Sequence, residues 1–144
     1  MAAGLRPLVG SLFISDLSAP MLRQARAKCD CRLLQNYAER LPFSEASFER
    51  VLVVDALHHF RDQRAAISEL WRVLKPGGRL VIEEMNVTRF GVKLVALAEK
   101  LALMGSRFYT PAELSAMVLA CGAVPHVETD GKSTLWVMAD KPPG

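Results

Sequence analysis

Two hydrophobic periodicities alternate along the chain, and this alternation constrains the fold more than any other feature. Arg50–Val54 (RVLVV) is almost wholly apolar and β-branched, as is typical of a strand buried on both faces. Asp62–Leu74 instead carries an apolar stripe at helical spacing, which predicts an amphipathic helix. The same patterns predict further strands at Ser11–Ser15, Arg32–Asn36, Arg79–Met85, Val124–Glu128 and Thr134–Ala139, and further helices from Ser18 to Lys28, over Gly91–Met104 and from Thr110 to Cys121-Gly122. Strands that alternate with helices predict an α/β fold, with a sheet that is parallel except for a closing antiparallel hairpin.

Local signals mark where these elements begin and end. Ser18 is a predicted helix N-cap, with Pro20 in the first turn. Thr110 and Glu113 have the spacing of a capping box. Lys75–Gly78 (KPGG) is predicted to stop the preceding helix, because a lysine, a proline and two glycines follow one another there.

Composition excludes several classes of protein. With 144 residues, 51% of them hydrophobic and 23% charged, the chain is neither disordered nor fibrous, and residues 1–144 are expected to form a single domain. Eighteen basic and fifteen acidic side chains give a net charge of +3, too weak a bias to predict a nucleic-acid partner. The most apolar stretch, Gly91–Met104, contains three charged residues and is shorter than the roughly 20 residues of a membrane span.

The three cysteines do not indicate a disulfide framework or a metal site. Their number is odd, and Cys29 and Cys31 are spaced C-x-C with no second pair and no histidine nearby. We therefore expect reduced thiols, a cytoplasmic protein and no metal.

Candidate functional residues follow the predicted strands, because ligands of open parallel sheets bind beyond the carboxyl ends of the strands. Asp16 ends the first strand, where an acid can accept hydrogen bonds from both hydroxyls of a ribose. The alternative is an acid that only favours the start of the next helix, and on position alone the two are equally weighted.

A pair of adjacent histidines follows the predicted strand Arg50–Val54, and a pair of adjacent acids lies near the end of the predicted strand Arg79–Met85. Of His58 and His59, at most one is expected to face a pocket, and an imidazole there is able to accept a proton near neutral pH. For each histidine taken singly, a packed or hydrogen-bonded ring is the better-weighted alternative. Glu83 and Glu84 point to opposite faces of a strand, so only one of them can line a cleft.

Four segments, in order and at matching spacing, together resemble a known family. They are Asp16-Leu17-Ser18 with Met21-Leu22 and Ala25-Arg26; Ala38–Phe43 (AERLPF) with Ser47–Val51 (SFERV); Leu57–Phe60 (LHHF); and Leu74–Leu80 (LKPGGRL). They resemble the class I methyltransferases that use S-adenosylmethionine, and within these the small-molecule branch that includes the ubiquinone and menaquinone methyltransferases. The match covers Ser11–Met85 strongly and the remainder loosely.

The resemblance implies a Rossmann-like fold and roles for individual residues. Asp16 would hold the ribose hydroxyls of the cofactor, Leu17 would pack on the adenine, and Ala38 and Glu39 would flank the adenine edge. Asp55 would begin the loop that passes beside the methionine end of the cofactor. Many members carry an aspartate before the Ala-Glu pair, where this chain has Tyr37.

The family's first strand and Gly-rich loop find no counterpart before Asp16. The fifteen residues ahead of it contain Gly4 and Gly10 but no G-x-G, so the expectation is a methyltransferase sheet truncated at its N-terminus. Two interpretations stand open: a longer protein that begins upstream, favoured about two to one, or a non-catalytic remnant that acts as a binding or interaction module. Without that first strand, Ser11–Ser15 and Arg50–Val54 would each expose an unpaired edge unless they close up against each other, and a homo-oligomer is able to form through such an edge.

The function implied by the resemblance is methyl transfer from S-adenosylmethionine to a small, hydrophobic acceptor. His59 is the candidate base if the acceptor must lose a proton. The apolar helix predicted over Gly91–Met104, flanked by Phe90, Phe108 and Tyr109, would serve as a lid over the acceptor. The better-weighted alternative is a buried helix or a dimer surface.

Overall fold

The computed structural model describes residues 2–88, 92 and 107–144. The strands are β1 (Phe13–Asp16), β2 (Arg32–Gln35), β3 (Phe48–Val54), β4 (Leu74–Met85), β5 (His126–Thr129) and β6 (Thr134–Asp140). The helices are α1 (Ala2–Leu5), α2 (Ala19–Lys28), α3 (Gln63–Val73) and α4 (Pro111–Leu119), with 3-10 turns at Arg6–Leu8 and Leu57–His59. These elements fall into two compact units, unit 1 (Met1–Pro42) and unit 2 (Phe43–Gly144).

Unit 1 consists of two parallel strands joined by a helix. β1 pairs with β2 in a register that sets Phe13 opposite Arg32 and Asp16 opposite Gln35. Helix α2 starts as predicted, since the Ser18 side chain accepts a hydrogen bond from the backbone N–H of Met21 at 3.4 Å. Because the two strands are parallel, the residues that follow each of them lie at the same edge of the pair.

The cysteines of unit 1 differ from the prediction. Cys29 and Cys31 form a disulfide, with their Cα atoms 5.5 Å apart. The physical reason is that residues two apart in extended backbone project to the same side, and Cys29 is extended at the end of α2. Cys121 is free, as expected. The cytoplasmic location stays a prediction.

Unit 2 is built on a four-stranded sheet in the order β3-β4-β6-β5. β3 and β4 are parallel, whereas β4–β6 and β6–β5 are antiparallel. The predicted α/β class and the closing hairpin are therefore confirmed, and antiparallel pairing extends inward to β4.

The Lys75–Gly78 segment stops α3 as predicted, since the helix ends at Val73. The sequence did not predict that β4 begins at once, at Leu74, and includes all four residues. The backbone N–H of Gly77 donates to the carbonyl of Lys141 at 2.9 Å, and the N–H of Lys141 donates to the carbonyl of Gly78 at 2.8 Å. Hydrogen bonds to a distant part of the chain thus accompany the extension of the strand back to the end of the helix.

The core of unit 2 lies between the sheet and helices α3 and α4. The apolar stripe predicted for α3 is confirmed, since Ala66, Ile67 and Val73 are buried, and the predicted capping box at Thr110 and Glu113 is present. Fully buried side chains face these helices from the strands: Leu80 and Ile82 on β4, and Leu135 and Val137 on β6.

The helix predicted over Gly91–Met104 lies outside the described residues except at Val92, which is helical and buried. Within the described residues, no helix combines the length and the apolar character needed to cross a membrane.

Candidate functional site

Asp16 stands at the carboxyl edge of unit 1, where the sequence predicted it. Its Oδ1 accepts a hydrogen bond of 2.7 Å from the backbone N–H of Ser18, which fixes the carboxylate over the start of α2. Gln35, opposite Asp16 in the ladder, donates from Nε2 to the carbonyl of Leu17 at 2.9 Å. Two hydrogen bonds, one from Ser18 to Asp16 and one from Gln35 to Leu17, therefore fix the segment after β1. The Asp16 carboxylate lies at the edge of the strand pair.

Leu17 and the turn after β2 share this edge with Asp16. Leu17 is 52% exposed, so its side chain is accessible at this edge. Ala38 and Glu39 form a turn in which the N–H of Arg40 donates to the carbonyl of Tyr37 at 3.2 Å. Unit 1 thus brings the four predicted nucleoside-binding residues, Asp16, Leu17, Ala38 and Glu39, to one edge.

Asp55 turns the chain sharply at the carboxyl edge of unit 2. Its φ of 50° is left-handed, a conformation that aspartate adopts more readily than most residues. Its backbone N–H donates to the carbonyl of Glu83 at 2.9 Å, one step beyond the Val54–Glu83 pair of the β3–β4 ladder. This turn starts the loop that leads to the two histidines.

Glu84 is the centre of a buried hydrogen-bond cluster at this edge. Its carboxylate accepts from the backbone N–H of Leu57 through Oε1 at 2.7 Å and contacts Nδ1 of His58 through Oε2 at 2.7 Å. Glu84 and His58 are only 5% and 4% exposed. A buried carboxylate is tolerated when its oxygens are hydrogen-bonded, and both oxygens are satisfied here.

The His58 ring also packs on the segment that precedes α4. It stacks on Phe108 with ring centroids 4.6 Å apart and planes 16° from parallel. The backbone carbonyl of His58 accepts a hydrogen bond from the backbone N–H of Arg107 at 2.8 Å. A cavity of about 10 Å³ lies beside these rings, lined in part by Leu57 and Tyr109. It has room for roughly one water molecule.

As predicted, only one of the two histidines faces inward. His58 is the buried one, while His59 is exposed, with its ring centroid 4.0 Å from that of His58. Likewise Glu84 faces inward, while Glu83 Oε2 accepts a 2.7 Å hydrogen bond from the indole Nε1 of Trp136. The role of His59 as a base stays a prediction.

The Asp55 carboxyl group lies close to the buried pair. Asp55, His58 and Glu84 each place a candidate metal-ligand atom within 4.8 Å of the others. Both oxygens of Glu84 are engaged in hydrogen bonds to the loop. Partial loss of water raises the pKa of Asp55, and the nearby Glu84 carboxylate raises it further.

Replacing Asp55 with asparagine should stabilise the protein at pH 7. Because the folded-state pKa of Asp55 is raised, its ionised form disfavours the folded state above that pKa, and this cost disappears as the pH falls below the unfolded-state pKa. Asparagine removes the charge and tolerates the left-handed backbone, so we expect a gain below about 1 kcal/mol, since solvent screens the group. Thermal unfolding of both proteins should show the gain at pH 7 and none at pH 3, whereas an equal gain at both would contradict the electrostatic cause.

Sequence reasoning missed two contacts in this region. It named Glu84 and His58 but did not join them, although the contact is the centre of the cluster. It also did not single out Gln63, which is buried at the start of α3 and accepts a 3.2 Å hydrogen bond from the hydroxyl of Tyr109. A glutamine at the start of a helix is common in solvent, so no local signal identified it.

Comparison with known proteins identifies the family. A family model described as a methyltransferase domain matches residues 1–82, more than half of the chain. The chain belongs to this methyltransferase family. The sequence-based resemblance to class I methyltransferases is therefore confirmed.

Individual relatives agree with this assignment. The chain is 40% identical over 75 residues to a demethylmenaquinone methyltransferase of Thermus thermophilus, a match that covers 49% of this chain and 34% of that protein. It is 39% identical over 83 residues to the uncharacterized protein YafE of Escherichia coli, covering 54% and 40%. The chain thus spans well under half the length of these curated relatives.

Among solved structures, the YcgJ protein from Bacillus subtilis superposes with a TM-score of 0.79 at 20% identity, covering 99% of this chain and 87% of that one. This likeness establishes the methyltransferase-type fold.

Proposed function

We propose that this chain takes part in methyl transfer from S-adenosylmethionine to a small, hydrophobic acceptor. Its membership of the methyltransferase family supports the reaction class. The observation that carries the proposal is the Asp16 carboxylate at the edge of unit 1, fixed by the N–H of Ser18 and beside an exposed leucine. An acid and an apolar surface at one strand edge suit a nucleoside, because the acid can accept hydrogen bonds from the ribose hydroxyls and the base can pack on the apolar surface.

The residues of unit 1 fit the nucleoside part of the cofactor. A carboxylate is able to accept hydrogen bonds from two neighbouring ribose hydroxyls, and Oδ2 of Asp16 has no recorded partner among the described residues. The exposed Leu17 side chain offers an apolar face on which a purine can pack, and burying it there removes apolar surface from water. Ala38 and Glu39 would border the adenine edge from the turn after β2.

For the reacting end, the proposed roles of Asp55 and His59 are those that the family resemblance and the chemistry of their side chains suggest. When bound, S-adenosylmethionine supplies a methyl group already activated by its sulfonium. Asp55 would line the methionine end from its turn after β3. His59, the exposed histidine, would accept the proton that a hydroxyl or acidic-carbon acceptor loses, because a neutral imidazole is a suitable base near pH 7.

A hydrophobic acceptor is the finer part of the proposal. The relative from Thermus thermophilus is named for demethylmenaquinone, an apolar quinone. In this chain, Phe108 and Tyr109 precede α4 beside the His58 ring, and aromatic side chains there suit an apolar ring system. Demethylmenaquinone is therefore the first acceptor to try.

Calorimetric titration of the 144-residue chain with S-adenosylhomocysteine tests the cofactor proposal. We expect a dissociation constant in the micromolar range, about −8 kcal/mol. Transfer of a labelled methyl group from S-adenosylmethionine to demethylmenaquinone then tests the acceptor. Binding without transfer would reject this acceptor but keep the cofactor. No binding would reject the proposal for the 144-residue chain. A form extended upstream would then separate the two interpretations, because binding by that form would assign the activity to a longer protein, whereas no binding by either form would favour the binding-module alternative.

A further inference from the structure

The loop between β3 and α3 is attached to β4 through the side chain of Glu84, in addition to the backbone hydrogen bond from Asp55 to Glu83. Glu84 lies near the end of β4, opposite Leu135 of β6 and one residue after the last pair with β3. From this position its two oxygens reach the backbone N–H of Leu57 and the ring of His58, residues 27 and 26 positions earlier in the chain. A rigid strand therefore determines where the loop lies.

The attachment uses a charge in a place where charge is costly. Glu84 is 95% buried from solvent, since its exposed fraction is 5%. A hydrophobic residue at this position would fill the same space without the cost of removing a carboxylate from water. What the carboxylate adds is direction, because charge-assisted hydrogen bonds favour one geometry of the two groups that donate to it.

The His58 ring extends this arrangement to a second segment. Stacking on Phe108 fixes the plane of the ring. The backbone carbonyl of His58 accepts a hydrogen bond from the N–H of Arg107. Asp55 and His59 flank this fixed residue on either side along the chain. The proposed function places both of them at the reacting end of the cofactor.

We propose that Glu84 and His58 are positioning residues, which hold the loop Asp55–His59 so that it receives the amino-acid end of the cofactor. This rests on the proposed function. It predicts that loosening the pair weakens binding of that end of the ligand and leaves binding of the nucleoside end unchanged. Two available compounds separate these ends: S-adenosylhomocysteine has both, and 5′-methylthioadenosine lacks the amino-acid chain.

The test is a pair of calorimetric titrations of the wild type and of His58→Phe. Phenylalanine keeps a ring that can stack on Phe108 but removes the nitrogen that contacts Glu84. Affinity for S-adenosylhomocysteine should fall about tenfold, as expected for the loss of a hydrogen bond to a charged group, while affinity for 5′-methylthioadenosine should stay within about twofold. His58→Asn, whose amide nitrogen can replace Nδ1 as the donor, should recover most of the loss.

A matched control and a second variant complete the experiment. Glu83→Gln alters the neighbouring acid, which contacts Trp136 instead, and should leave both affinities unchanged. If His58→Phe does not fold, Glu84→Gln has the size of the native side chain and should shift the two affinities in the same unequal way. Equal losses for both ligands, or no loss for either, would overturn the positioning role. A wild type that binds neither ligand would instead reject the proposed function itself.

Discussion

Replacing Asp16 with alanine is expected to weaken binding of S-adenosylhomocysteine by about 100-fold. In the proposed complex, two ribose hydroxyls donate to this carboxylate, and each hydrogen bond to a charged acceptor contributes about 1.5 kcal/mol. Together they amount to about 3 kcal/mol, which corresponds to a factor of roughly 100 in the dissociation constant. Calorimetric titration of the two proteins measures the difference directly.

Asp16 also has a structural contact, and a second substitution separates the two roles. Asp16→Asn keeps an oxygen that can accept the N–H of Ser18, but it loses the negative charge. We expect it to bind about tenfold more weakly than wild type, between wild type and alanine, with the helix content of unit 1 unchanged by circular dichroism. If Asp16→Ala binds as tightly as wild type, the carboxylate does not hold the ribose, and the residue is only an acid at the start of a helix.

The parts of the fold that depend on neighbouring residues were predictable from sequence. Ser18 caps α2, and Thr110 with Glu113 caps α4, because a helix N-cap is decided by side chains within three positions of one another. The apolar stripe of α3 is equally local. The positions of Asp16 and Asp55 at strand ends were predictable because the end of a strand is visible in the sequence, and their roles toward a ligand stay predictions.

The Glu84–His58 contact depends on strand register, which the sequence does not encode locally. The register sets Val54 opposite Glu83, and this decides which side chains meet at the sheet edge. In the structure, Glu84 lies on the same face of β4 as Leu80 and Ile82, and all three are buried. Val81 is apolar too, so alternation along the strand did not show which face is inward, and either Glu83 or Glu84 remained possible.

The two glycines of Lys75–Gly78 stand there for different structural reasons, which the sequence pattern does not separate. Gly77 has a φ of 73°, which favours glycine, but a Cβ built on it meets nothing within 4 Å. Gly78 is glycine for a different reason. A Cβ there would lie 2.8 Å from the carbonyl oxygen of Lys75 and 2.9 Å from that of Glu49. The sequence pattern shows only two glycines. The structure shows that the backbone conformation favours glycine at position 77, whereas the close approach of neighbouring backbone carbonyls requires it at position 78.

Substituting each glycine with alanine should therefore destabilise unit 2 by different amounts. Gly78→Ala pushes a methyl group against the backbone carbonyl of Glu49 on β3 and that of Lys75 earlier in β4, and these cannot rotate away as a side chain would. We expect a loss of about 3 kcal/mol in the free energy of unfolding, at the upper end for overpacking. Gly77→Ala should lower the free energy of unfolding by about 1 kcal/mol, because only the left-handed backbone disfavours alanine there. Urea denaturation of the two variants measures both losses.

Gly10→Ala is the matched control for these substitutions, because its Cβ would meet nothing within 4 Å and its φ is not in the left-handed region. Its effect should lie within about 0.5 kcal/mol. If Gly77→Ala proves the more damaging of the two neighbours, the backbone conformation and not the close approach determines the glycine pair. The close approach of Gly78 to Glu49 lies beside Arg50, where the regular β3–β4 register that ends at Val54 and Glu83 begins. We therefore expect Gly78→Ala to disturb this pairing, and with it the Glu84–His58 contact, and to weaken binding of S-adenosylhomocysteine more than Gly77→Ala does.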